Sequence, residues 1–177
     1  MRCFIAIELD SETRTLLTNI QKRLSAAGVK GNFARPENLH LTLKFLGEID
    51  STVFQKVNTI IKNITTRQQS FVLTVDRIGK FDKGSRKIIW AGLSGSKELE
   101  HLFSDINTEV IKILPTEKEK RYTPHITLIR EAILPDNALN SNEELNHSFR
   151  VSGISLMEST RRDGKLTYLR RAYESFL

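Results

Sequence analysis

His40-Leu41-Thr42-Leu43 and His125-Ile126-Thr127-Leu128 write one pattern twice, about half a chain length apart in 177 residues. At ordinary residue frequencies a given His is followed by apolar-Thr-Leu roughly two or three times in a thousand. Two of the four histidines here meet that pattern, so the repetition predicts a chain of two halves, each carrying the same strand. The strand period of two puts His40 and Thr42 on one face and Leu41 and Leu43 on the other, with the same split for His125 and Thr127 against Ile126 and Leu128. The apolar pair anchors each strand in a core. The imidazole and hydroxyl then line a cleft between the halves.

Outward from these strands, the pattern alternates between the two periods. Phe4 to Leu9 reads as a strand, and Asp10-Ser11 caps a helix whose apolar positions Leu16, Leu17, Ile20 and Leu24 keep helical spacing up to Gly28. Leu39 to Leu46 alternates as a strand; Gly47 to Ser51 turns and caps, and Val53, Val57, Ile60, Ile61 and Ile64 return to a helix. Phe71, Leu73 and Val75 mark a strand, and Lys83-Gly84 the tip of a hairpin leading into Ile88-Ile89-Trp90-Ala91. Ser96 opens a helix with the face Leu99, Leu102, Phe103, Ile106, Val110 and Ile113, stopped by Pro115. A strand follows over Pro124 to Ile133, then a polar loop through Asn140, Ser141 and Asn142. Two final strands, Phe149 to Met157 and Leu166 to Tyr173, turn at Asp163-Gly164. Hairpin-linked strands outnumber helices, which predicts an α+β fold with antiparallel sheets; no glycine-rich phosphate loop supports a doubly wound alternative.

Lys and Arg number 27 against 21 Asp and Glu, a formal charge of +6, while 39% hydrophobic residues suffice for a real core. Disordered and fibrous classes are excluded on that balance. No apolar run is long enough to span a membrane, and Met1 to Glu8 is too short and too acidic for a signal peptide, so a cytoplasmic protein is expected. The lone Cys3 supports neither an internal disulfide nor a cysteine metal cluster and reads as a small buried hydrophobe. Basic residues cluster at Lys118, Lys120 and Arg121 and again at Arg161, Arg162, Lys165, Arg170 and Arg171. Either cluster suits a polyanion or a solvated face.

Two imidazoles and two hydroxyls, with no cysteine and no local acidic ligands, suit the splitting of a phosphodiester. One neutral His draws a proton from water, one protonated His supplies a proton to the departing oxygen, and Thr hydroxyls hold phosphate oxygens as charge builds. The pattern itself leaves open which His is which. Zinc is the weaker reading, because a catalytic zinc usually takes a third protein ligand and no H-E-x-x-H or His/Asp cluster is present.

The sequence resembles the two-histidine (2H) phosphoesterase superfamily, and within it the bacterial and archaeal RNA 2′,3′-cyclic phosphodiesterases, the LigT-like or 2′-5′ RNA ligase family. The resemblance runs through Arg2 to Ile7, Arg35 to Gly47, Trp90 to Leu93 and Tyr122 to Arg130. It implies one bilobal domain over 1–177, an α+β LigT-like fold of pseudo-duplicated antiparallel sheets with flanking helices and a central cleft. It also implies a site needing neither metal nor cofactor, in a monomer acting on RNA with a 2′,3′-cyclic phosphate terminus to leave a 2′-phosphate. Carried over by position, His40 is the proton donor, His125 the proton acceptor, and Thr42 and Thr127 bind the phosphate. The alternatives are 2′-5′ ligation of tRNA halves, processing of cyclic ADP-ribose phosphate, and an RNA-binding module without turnover.

Arg130 and Tyr122 are further candidate substrate contacts. Arg130 lies five positions after His125, on the opposite face of a straight strand, so only a bend brings it to the phosphate. Phe45, at the same offset from His40, is expected in the core, as is Trp90. His101 reads as a helix-surface residue and His147 as a loop residue, both outside the chemistry.

Overall fold

Asp10, Asp50 and Ser96 each accept a hydrogen bond from the backbone N–H three residues on, at 2.8, 2.8 and 3.1 Å. These caps satisfy donors that a helix start leaves free, and they open helices α1 (Ser11–Ala26), α2 (Ser51–Thr65) and α3 (Lys97–Val110). The computed structural model describes residues 1–115, 121–139 and 144–177. Lys118, Lys120, Asn140, Ser141 and Asn142 therefore lie outside the described residues. Helix α3 is shorter than its apolar spacing predicts: after Val110 the chain closes in turns, with the Ile113 N–H on the Val110 carbonyl.

Among the described residues nine strands form one sheet: β1 (Arg2–Glu8), β2 (Lys30–Phe33), β3 (His40–Glu48), β4 (Phe71–Lys83), β5 (Arg86–Leu93), β6 (His125–Ile133), β7 (His147–Val151), β8 (Gly153–Arg162) and β9 (Lys165–Ser175). Their order is β7-β4-β5-β6-β3-β1-β8-β9, with β2 on β6, and every pairing is antiparallel. This is the expected α+β architecture. β3 and β6 meet at the centre, where Leu41 faces Ile126.

The lobes on either side of that seam are not the consecutive halves of the chain that the repeat suggests. The predicted strand Phe149 to Met157 breaks at Ser152, so that β7 pairs with β4 at one end of the sheet and β8 with β1 near the other. Gly153 permits the break, because a Cβ there would stand 2.5 Å from the Glu174 carbonyl oxygen. The C-terminal hairpin β8–β9 thus completes the lobe that the N-terminus begins.

Cys3, Ile5 and Ile7 of β1 join Leu17, Ile20, Val57, Ile61, Leu102 and Ile106 of the three helices in a single core. Phe4 and Ala6, on the opposite face of β1, pack instead with Met157 and Tyr168. One face of the sheet is thereby committed to the helices, and the other is left to carry side chains of a different kind.

Candidate active site

Each histidine strand departs from strict alternation at the same place. Burial runs identically from His40 to Phe45 and from His125 to Arg130: the His and Thr are partly exposed, Leu43-Lys44 and Leu128-Ile129 are consecutively buried, and the sixth residue is exposed. The pairing explains it. Between Ala6↔Thr42 and Ile5↔Lys44 the register passes over Leu43, and between Trp90↔Thr127 and Ile89↔Ile129 it passes over Leu128. An extra residue of this kind is a β-bulge, which reverses which face the following side chains take. Phe45 and Arg130 are turned by it to the His/Thr face, where both line one cavity. Phe45, expected in the core, is 57% exposed.

The bulge in β6 is held from behind by a residue the sequence did not single out. Leu128 O accepts from the Ala34 N–H and from Gln21 Nε2, both at 2.9 Å, and the same amide donates to Ala34 O at 2.9 Å. Gln21 is buried in α1 at a position of helical apolar spacing. A polar residue there was the only sequence signal of its role.

The imidazoles are anchored alike. His40 Nδ1 donates to Asn38 O and His125 Nδ1 to Thr123 O, each at 2.7 Å and each to the carbonyl two residues earlier. A carbonyl can only accept, so the proton sits on Nδ1 and Nε2 is the nitrogen left to act. His40 Nε2 bonds Thr42 Oγ1 at 2.9 Å, while among the described residues His125 Nε2 has no hydrogen-bond partner. Each ring also meets an aromatic edge. Tyr168 stands at 90° to His40 with centroids 5.1 Å apart, and Phe81 at 88° to His125 with 5.0 Å. Phe4 closes on His40 at 4.8 Å.

The support of His40 reaches into the C-terminal hairpin. Asn38 Nδ2 donates to Leu166 O at 3.0 Å, and Arg35 reaches the same carbonyl and Thr167 Oγ1. The segment that holds Nδ1 is thereby tied to the strand that supplies Tyr168. Burial of the ring lowers the His40 pKa below the ordinary imidazole value, the Asn38 carbonyl opposes this, and the charges of Arg130, His125 and Arg14 lower it further. Beside His40 in register lies Glu8, chelated by Arg170 at 2.7 and 2.8 Å and bonded by the Ser155 hydroxyl. Burial pushes its carboxyl up, but the Arg170 and Ser155 hydrogen bonds and the charges of Arg170 and Arg14 outweigh it and hold the group below the usual range.

Trp90, also expected in the core, lies beside His125 at 6.4 Å, with its ring over Gly79, where a Cβ would be only 2.3 Å from the indole. Tyr122 is not an open platform for a base. Its ring stacks on Phe103 at 4.1 Å and its hydroxyl donates to Thr42 O at 3.0 Å, a tie from the segment leading into β6 to β3. His101 is exposed on α3, and His147 begins β7 with Nε2 on Thr13 Oγ1 at 2.9 Å, a strand position where a loop was expected. Among the described residues no group of three or more His, Cys, Asp or Glu is placed to hold a metal, and no helix is long and apolar enough to cross a membrane.

An antiparallel sheet presenting two matched His-x-Thr strands on its open face defines a two-histidine phosphoesterase. The model of the LigT like Phosphoesterase family matches residues 7–90, which include the first motif. A Thermotoga maritima relative named RNA 2′,3′-cyclic phosphodiesterase is 33% identical over 77% of this chain and 73% of its own. One of the same name from Methanocaldococcus jannaschii is 31% identical over 90% and 92%. The structure of E. coli LigT complexed with 3′-AMP superposes with a TM-score of 0.79 and 25% identity, over 99% of this chain and 97% of that one. The chain belongs to the LigT-like phosphoesterase family.

Proposed function

We propose that this protein opens 2′,3′-cyclic phosphates at RNA ends to 2′-phosphates, with His40 as acid and His125 as base and without a metal. The observation that carries the reading is the matched anchoring of the two imidazoles, which fixes the proton on Nδ1 and reserves Nε2 in both strands. His125 Nε2 takes the proton of the attacking water as its oxygen bonds phosphorus. The P–O3′ bond breaks, and the proton held on His40 Nε2 passes to O3′. Attack and departure lie on opposite sides of phosphorus, an arrangement suited to groups delivered by two facing strands. Thr42 and Thr127 hold the non-bridging oxygens, and Arg130 offsets their charge. Phe45 offers an exposed ring for the terminal base.

In the free site, burial and Arg130 disfavour the His40 cation. The phosphate anion reverses part of that penalty, so the acid is charged most readily when substrate is bound. Relatives named RNA 2′,3′-cyclic phosphodiesterase and the binding of 3′-AMP by E. coli LigT support the substrate class. Residues 1–177 act as one bilobal unit, and since each chain carries both histidines a monomer suffices, working on RNA in the cytoplasm.

The test is phosphorus NMR on a short RNA with a cyclic end, incubated with enzyme and excess chelator. A 2′-phosphate product is expected. A 3′-phosphate would reverse the assigned leaving group, a requirement for added zinc would exclude the metal-free route, and RNA binding without product would leave only the binding-module alternative.

A further inference from the structure

Several arginines of this protein are answered by carboxylates among the described residues: Arg35 by Glu37, Arg77 by Asp76, Arg170 by Glu8 and Arg171 by Glu158. Arg2, Arg130 and Arg161 are not; among the described residues none has an acidic partner, and Arg161 bonds only the Gly164 carbonyl, at 3.0 Å. All three line one cavity of about 570 Å³. The one carboxylate among its described lining residues, Glu48, lies 3.4 Å from the N-terminal ammonium of Met1. A group of unanswered guanidiniums around one hollow is the electrostatic form of an anion site, since arginine forks match phosphate oxygens.

The position of the hollow says which anion. Phe4 and Tyr168 form its wall and also touch the His40 ring, with centroids at 4.8 and 5.1 Å. Arg130 belongs to the histidine strand itself. The cavity is thus next to the reacting phosphate but contains neither histidine nor motif threonine. The rest of its lining suits a nucleotide: an exposed Phe45 ring and the hydroxyl-bearing Ser159 and Thr160. A volume of this size is that of a small-ligand site.

We infer that this cavity is a subsite for the anionic group on the 5′ oxygen of the terminal nucleoside, with Arg2 and Arg161 as its contacts. In RNA that group is the last internucleotide phosphate; in a mononucleotide it is a 5′-phosphate. The inference rests on the proposed function and sharpens it. The preferred substrate is a 5′-phosphorylated nucleoside 2′,3′-cyclic phosphate, free or at a chain end, over the bare nucleoside form.

The experiment compares kcat/KM for adenosine 2′,3′-cyclic phosphate, its 5′-phosphorylated form and a dinucleotide with the same cyclic end. One hydrogen bond to a charged group corresponds to about tenfold or more, so either 5′ anion should raise kcat/KM by about tenfold. A gain confined to the dinucleotide assigns the anion to the RNA chain, and a gain shared with the mononucleotide assigns it to phosphate as such. Arg2→Gln and Arg161→Gln should each remove most of the gain while leaving the bare substrate within about twofold. In parallel, calorimetry measures binding of adenosine and adenosine 5′-monophosphate to the same three proteins, each checked for folding by its thermal transition. No preference for a 5′ anion in either measurement overturns the subsite, as does a preference untouched in both variants. If no cyclic phosphate is turned over at all, the proposed function fails, and the calorimetry alone decides the subsite by whether the monophosphate binds more tightly and loses that advantage in the variants.

Discussion

Arg130 lowers the pKa of His40 through space, which gives a test of how the two share one field. A reaction needing one neutral and one protonated imidazole loses kcat/KM below the lower pKa and above the higher, whichever group is the acid. With His40 lowered, the acidic limb of the bell should lie below the ordinary imidazole value near 6.5. Arg130→Gln removes a repelling cation and should move that limb to higher pH, together with a loss of rate from the missing phosphate contact. An unmoved limb in a pH series would show that Arg130 does not act on His40. At this scale the duplicated tetrapeptide made His40, Thr42, His125 and Thr127 legible, because a period of two holds up to the first bulge. Phe45 and Trp90 were misplaced for a physical reason. The bulge reverses parity beyond Leu43, and Trp90 rests on Gly79 on the site face, a contact that no local pattern announces.

The β6 bulge depends on α1, whose Gln21 lies 107 positions from Leu128 along the chain. Gln21→Met keeps the volume but leaves the Ala34 carbonyl without its donor and Leu128 with only the Ala34 N–H. Loss of a buried hydrogen-bond partner costs about 1–3 kcal/mol, so a denaturant titration should show destabilisation of that order. The same variant should raise KM more than it lowers the chemical step in single-turnover assays, because Arg130 is aimed by this bulge while His125 precedes it. Full stability would mean that the ladder alone maintains the bulge. Elements with strong caps and a clear helical period, such as α1 and α2, were readable. β2 was not, since Lys30-Gly31-Asn32-Phe33 buries little and is a strand only because β6 offers it an edge. The break between β7 and β8 falls where the apolar positions change phase, from Phe149 and Val151 to Ile154 and Leu156, a one-residue slip inside a run that otherwise reads as one strand.

Across the whole molecule, the C-terminal hairpin closes the lobe begun by β1, and Glu8 with Arg170 joins them. A carboxyl whose pKa is lower folded than unfolded contributes stability above its unfolded pKa and loses it as pH falls through the folded one. Glu8→Gln should therefore lower Tm at neutral pH, and the gap to the wild-type protein should narrow as pH falls below about 4. A gap constant with pH would assign the loss to packing instead. With strands from both ends of the chain interleaved in one lobe, a single cooperative transition is expected in the same scans; two transitions would divide the lobes into separate units.

Two strands with the same bulge and the same ring anchoring lead to one claim, that His40 and His125 act as a single acid/base unit. Its most direct test is kcat for His40→Ala, His125→Ala and the double variant on an RNA cyclic end, with folding verified for each. Groups in concerted proton transfer contribute about 10²–10⁴ in rate, and residues acting as a unit are far from additive. Each single variant should fall by that amount, and the double variant by much less than the product of the two losses. Multiplicative losses, or near-normal turnover in either single variant, would contradict the account.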